Sequence, residues 1–146
     1  MDTRELFARM INCEAGGEGI EGMKAVATCI MNRVRTTKGE YGRVCQGDLR
    51  KVLEQQCQFS CHKTLIGGVE NTQNVWNINP EPLHYEIADE AASGTIFSPV
   101  GDQCLWYMRP PDATCPQYFP KNGSGYAYNK IRKHCFYNPT AKYNDT

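Results

Sequence analysis

The chain has 146 residues, a length that predicts one domain spanning residues 1–146. Sixteen Lys and Arg balance sixteen Asp and Glu, so a zero net charge gives no electrostatic basis for binding nucleic acid or an anionic membrane. A 40% hydrophobic content supplies a core, but the longest apolar run, residues 104–108, is far too short for a membrane span, and charges from Asp2 to Lys24 leave no room for a secretory signal peptide.

The N-terminal half reads as helical. Asp2 followed by Glu5 resembles a capping box, and Leu6, Phe7, Met10 and Ile11 form an apolar stripe that Gly16 and Gly17 end. A second helix is predicted over about residues 21–34, with Met23, Val26, Ala27, Ile30 and Val34 on its buried face. Asp48 caps a shorter helix through Leu49, Val52 and Leu53. Pro80-Glu81-Pro82 opens a fourth, with Leu83, Ile87 and Ala91 inward and a stop at Ser93-Gly94. From Gly94 onward Gly, Pro, Asn and aromatic residues dominate. Residues 105–108 and 135–137 read as strands, separated by a loop over residues 110–129. The predicted fold class is therefore α+β, a helical layer followed by a small antiparallel sheet.

Eight cysteines stand at 13, 29, 45, 57, 61, 104, 115 and 135, and none forms a Cys-x-x-Cys pair. Cys57, Cys61 and His62 are candidate zinc ligands, but only two or three cluster, so disulfides between distant segments are the stronger expectation. So many thiols suit a protein that ends in an oxidised shell rather than in the reduced cytosol.

Glu14 carries the chemical argument. It continues the Leu6/Phe7–Met10/Ile11 stripe by one further i+3 or i+4 step, so its side chain is expected to face the core. It also lies in the last turn of its helix, where the dipole disfavours a carboxylate. Apolar neighbours and dipole both raise its pKa, which is what a general acid working near neutral pH requires. A glycosidase acid of this kind protonates the oxygen between two sugars. Glu18 and Glu21 are the competing carboxylates, and their position in or beside a Gly-rich turn predicts exposure.

The segment Ala8-Arg9-Met10-Ile11-Asn12-Cys13-Glu14-Ala15-Gly16-Gly17-Glu18-Gly19, with Glu21-Gly22-Met23 and the helix end Met31-Asn32-Arg33-Val34, resembles the opening of the SleB/CwlJ cell wall hydrolases. Gln58-Phe59-Ser60, residues 105–110, Cys115-Pro116 and residues 134–141 extend the resemblance over nearly the whole chain, toward the CwlJ branch. It implies a lysozyme-like fold related to lytic transglycosylases. It also implies germination-linked cleavage of the N-acetylmuramate–N-acetylglucosamine backbone of spore cortex peptidoglycan, with Glu14 as the single catalytic acid. No cofactor is required for that chemistry, and calcium-dipicolinate is implied as an activator. The implied location is the boundary between spore coat and cortex, with a spore-coat protein as partner. Cys115 and Cys135 correspond to a Cys pair of the CwlJ branch, which implies a disulfide. Cys13, Cys57 and Cys61 are not taken as general family features, and thiol chemistry beside Glu14 is left open.

Tyr85, Trp106, Tyr107 and Tyr137 are candidates to hold sugar rings, and Gln58, Ser60 and Asn138 to hydrogen-bond their substituents. Two other readings remain. A zinc N-acetylmuramoyl-L-alanine amidase would draw on His62, His84 and His134, which show no i,i+4 pair, with His84 on the polar side of its helix. A non-catalytic wall-binding module stapled by disulfides would account for the aromatics and cysteines but not for an acid on a buried stripe.

Overall fold

The computed structural model describes residues 1–55 and 60–146. Among these residues five α-helices come first: α1 (Thr3–Ala15), α2 (Gly19–Arg35), α3 (Gly39–Cys45), α4 (Leu49–Leu53) and α5 (Pro82–Ala92). A short hairpin of β1 (Leu65–Ile66) and β2 (Val69–Glu70) lies between α4 and α5. Three strands follow, β3 (Trp106–Met108), β4 (Gly125–Ile131) and β5 (His134–Pro139), in the antiparallel order β3-β5-β4. The fold is α+β and lysozyme-like.

Local chemistry explains the helix ends. The Asp2 carboxylate accepts from the Glu5 N–H at 2.8 Å, satisfying one of the free donors of the first turn of α1. Asp48 does the same for α4, accepting from the backbone N–H groups of Arg50 and Lys51. At the start of α5 the Glu81 N–H donates to His84 Nδ1 at 2.9 Å. His84 is consequently buried at 7% exposure rather than lying on the polar side of its helix, because its ring serves as a cap.

The core forms where the predicted stripes meet. Phe7, Met10 and Ile11 of α1 pack with Val26 and Ile30 of α2 and Ile87 of α5, while Phe136 and Tyr137 of β5 close the core from the sheet side. Arg4 and Asp89 tie α1 to α5 at the surface, 2.8 Å apart.

Three features depart from the sequence reading. Helix α3 was not expected, and β4 begins inside the stretch read as loop 110–129. In β4, Tyr126 and Tyr128 are exposed while Gly125 and Ile131 are buried, so its outer face carries aromatics that mask the polar/apolar alternation. The β1–β2 hairpin was also missed. Its Gly67 and Gly68 both have positive φ, the conformation a two-residue hairpin turn requires.

Candidate active site

Glu14 lies in the last turn of α1, one residue before the helix ends at Ala15, and the chain then makes a single 3-10 turn over Gly16–Glu18. Gly19, with φ of 72°, redirects the backbone into α2, a conformation that side chains other than glycine adopt at a cost. Two close helices are thereby joined with both Glu14 and Glu18 on the inside of the bend.

The Glu14 side chain meets β3. The Tyr107 hydroxyl donates to Glu14 Oε1 at 3.2 Å. Behind it stands Arg33 of α2, 3% exposed, whose guanidinium carbon lies 5.5 Å from the centre of the Tyr107 ring and 5.2 Å from that of Tyr41. Arg33 Nε donates to the Leu105 carbonyl at 2.6 Å, and Asn32 Nδ2 donates to the carbonyls of Gly101 and Cys104 at 3.0 and 2.9 Å. Asn32 and Arg33 thus lock the segment that leads into β3, which sets where Tyr107 stands.

Burial pushes the Glu14 carboxyl up to about 7; the Tyr107 hydrogen bond and the Arg33 charge pull it down and are outweighed. Burial, and next the Glu14 charge, hold Tyr107 well above its ordinary pKa, so it stays a phenol able to donate. For Arg33, burial works against the charge, but Tyr41, Cys29, Tyr107 and Glu14 around it prevail and raise its pKa. Carboxyl, phenol and fixed cation together form a site that holds a proton at neutral pH and tolerates its loss.

Glu14 opens onto a cleft of about 520 Å³, within the size range of ligand sites. One wall comes from the bend and the tip of the β4–β5 hairpin, including Glu18, Lys133 and His134; Arg109, just after β3, adjoins them. The other comes from Cys61, Ile66, Asn71 and Gln73. A disulfide between Cys13 and Cys61 fastens this second wall to α1. Gln73 Nε2 donates to the Cys13 carbonyl at 3.2 Å, and Arg9 donates to the carbonyls of Val75 and Ile78 at 2.8 and 3.0 Å.

Glu18 corrects the sequence reading. It is 8% exposed, not solvated, because its Oε1 accepts from the Lys133 N–H at 3.1 Å and from His134 Nδ1 at 2.7 Å. Glu21, as expected, is exposed. The three histidines serve separate local roles: His62 Nε2 meets the Leu53 carbonyl, His84 caps α5, and His134 holds Glu18.

The candidate sugar-holding residues divide. Tyr107 is at the site, but as the partner of Glu14. Trp106 is buried edge-on against Tyr143, and Tyr137 is fully buried with its hydroxyl donating to the Pro116 carbonyl at 2.6 Å, so neither faces the cleft. Tyr85 sits on α5 beneath the Arg4 guanidinium, 4.4 Å away, and Asn138 pairs with Tyr126 across the sheet; neither lines the cleft. Gln58 lies outside the described residues, and Ser60 begins the 3-10 turn Ser60–His62. Cys57 is also outside them, while Cys61, read as a possible zinc ligand, is bonded to Cys13 instead. Cys115 and Cys135 form a second disulfide, the pairing that the resemblance implied.

Sequence reasoning missed Arg33 as a site residue. Its signal was present: Arg33 follows Val26 and Ile30 by helical steps, a charge on a buried stripe.

The family profile described as Cell Wall Hydrolase matches residues 17–137. The cell wall hydrolase CwlJ of Halalkalibacterium halodurans is 30% identical over 139 residues, covering 94% of this chain and 85% of that protein. CwlJ of Bacillus subtilis is 26% identical over 143 residues, covering 94% and 86%. Matches of that reach take in the Glu14 segment, which precedes the profile match. Among solved structures, the catalytic domain of the germination-specific lytic transglycosylase SleB from Bacillus anthracis superposes with a TM-score of 0.65 at 22% identity, covering 93% of each chain. The catalytic domain of the Bacillus cereus SleB protein gives the same TM-score and identity, covering 93% of this chain and 89% of that one. These two establish a shared fold, and the profile with the CwlJ relatives establishes kinship: the chain belongs to the SleB/CwlJ family of cell wall hydrolases.

Proposed function

We propose that this peptidoglycan-degrading enzyme cleaves the bond between N-acetylmuramate and N-acetylglucosamine as a lytic transglycosylase, with Glu14 acting as both acid and base. The observation that carries the reading is a half-buried carboxyl, donated to by Tyr107 and opening on a cleft, whose desolvation pushes it up to about 7.

In the first step Glu14 gives its proton to the glycosidic oxygen, the bond from that oxygen to muramate C1 breaks, and positive charge develops on the ring. The Tyr107 phenol and the Arg33 cation stabilise the carboxylate left behind. In the second step that carboxylate takes the proton of the muramate 6-hydroxyl, whose oxygen closes on C1 to give a 1,6-anhydro ring. Glu14 ends as it began, so one carboxyl suffices.

A muramidase reading has one observation in its favour, the presence of Glu18 in the cleft. Water attack generally uses a second carboxylate. Glu18 is occupied instead, because its Oε1 holds the tip of the β4–β5 hairpin. An amidase reading is disfavoured by the separate engagements of the three histidines.

The spore cortex as substrate, placement at the coat–cortex boundary, a coat-protein partner and activation by calcium-dipicolinate are proposed with it, on the resemblance to the CwlJ branch. The Glu14→Gln variant is expected to fold and to lose about a hundredfold to ten-thousandfold in cleavage rate, the usual contribution of a general acid. Mass spectrometry of digested peptidoglycan is expected to give 1,6-anhydromuramate ends. Reducing muramate ends would identify a muramidase, and released peptides an amidase.

A further inference from the structure

The active-site cleft does not end at Arg109 and Lys133. Both residues also line a second concavity of about 480 Å³, completed by Pro110, Pro111, Ala113 and Lys130. Its charged side chains are all cationic, and among the described residues no Asp or Glu lines it. Arg109 and Lys133 are exposed and make no side-chain hydrogen bond or ion pair with any described residue. The Lys130 ammonium donates to the Ala113 carbonyl at 2.7 Å, which fixes it against the groove wall.

The placement of Lys133 is built into the fold. Arg132 and Lys133 form the two-residue turn between β4 and β5, flanked by the Ile131–His134 pair. Arg132 has φ of 55°, a position where Gly or Asn is the favoured choice. The buried Glu18 carboxylate then accepts from the Lys133 N–H, holding the tip at the junction of the two concavities.

A groove that recognises neutral sugars offers amides, hydroxyls and carboxylates to the ring hydroxyls. This one offers two prolines, an alanine and three cations, a lining suited to an anion carried on a short organic arm. We infer that the Arg109–Lys133–Lys130 groove is a subsite for a carboxylate borne by the muramate lactyl arm, while the glycan strand lies over Glu14. The inference rests on the glycan-cleaving reading. The arm carries such a carboxylate either on an attached stem peptide or, where the peptide is absent, on the lactyl group itself.

The test compares purified glycan strands with intact stems, the same strands stripped of peptides by an amidase, and both after carbodiimide amidation of their carboxylates. Wild-type protein is expected to show a KM about tenfold lower on a charged strand than on its amidated counterpart, with little change in kcat, as expected for loss of a charge-assisted contact. A preference on intact strands alone assigns the subsite to the stem; a preference on stripped strands assigns it to the lactyl carboxylate. The R109Q/K133Q double variant, checked by its melting temperature, is expected to lose the preference, with KM values for charged and amidated strands converging whatever change it shows in kcat. Equal KM values for charged and neutral strands in wild type, or a preference that survives in the folded double variant, overturns the inference and leaves glycan cleavage standing. If wild type produces no new glycan ends on any strand, the cleavage reading falls and takes the subsite with it.

Discussion

Burial between α1 and β3 raises the Glu14 carboxyl to about 7, while the Tyr107 phenol and the Arg33 cation work to lower it. The acid form is the one that starts the reaction, so activity should fall as pH rises through about 7. Replacing Tyr107 with Phe removes the donor that favours the carboxylate. The Tyr107→Phe variant is therefore expected to move the alkaline limb of its pH–rate profile upward by up to about one pH unit. Its kcat should also fall about tenfold, since the carboxylate formed after proton transfer loses a hydrogen bond. A profile unchanged in position would show that Tyr107 does not touch the working carboxyl.

At the scale of elements, the β4–β5 hairpin is joined to the bend between α1 and α2 through one side chain. Glu18 receives the backbone of Lys133 and the ring of His134, and Gly22 allows the close fit, since a Cβ there would collide with that of Glu18. Truncation strands one buried donor, the His134 ring N–H, and one part-buried donor, the Lys133 backbone N–H. The Glu18→Ala variant is expected to lose about 2 kcal/mol of stability, read as a fall of about 5 °C in melting temperature. Glu18→Gln keeps an acceptor oxygen in place and should retain most of it. If Glu18 were instead a second catalytic carboxylate, Glu18→Gln would abolish cleavage while leaving the melt unchanged.

Over the whole molecule, the two disulfides among the described residues fasten what hydrophobic packing leaves loose. Cys13–Cys61 spans 48 residues and holds the outer wall of the cleft against α1; Cys115–Cys135 spans 20 and ties the long loop to β5. Chain-entropy arguments give at most about 4 kcal/mol for the first and about 3 kcal/mol for the second. Thermal melts with and without reductant should therefore differ by several degrees. The C13S/C61S variant should in addition raise KM, because Ile66, Asn71 and Gln73 belong to the wall it releases. The three described free thiols, Cys29, Cys45 and Cys104, are buried, so alkylation of the native protein should spare them.

The helices that carry Glu14 and Arg33 were legible because each repeats an apolar stripe every three or four residues, and each begins or ends on a residue with a definite backbone preference. The inward phase of Glu14 was legible for the same reason. Strand β4 was not, since its outward face bears Tyr126 and Tyr128, and local pattern does not distinguish an aromatic that faces solvent from one that faces the core. Nor was the burial of Glu18, whose partners Lys133 and His134 stand more than a hundred residues away. Trp106 and Tyr137 had the composition of sugar platforms, and only the register of β3 against β5 turned them into the core. Periodicity is a property of neighbours along the chain, so it determined which side chains point inward. What each of them meets there, and so what pKa Glu14 has and which cations border its cleft, depends on contacts that arise only when distant segments pack.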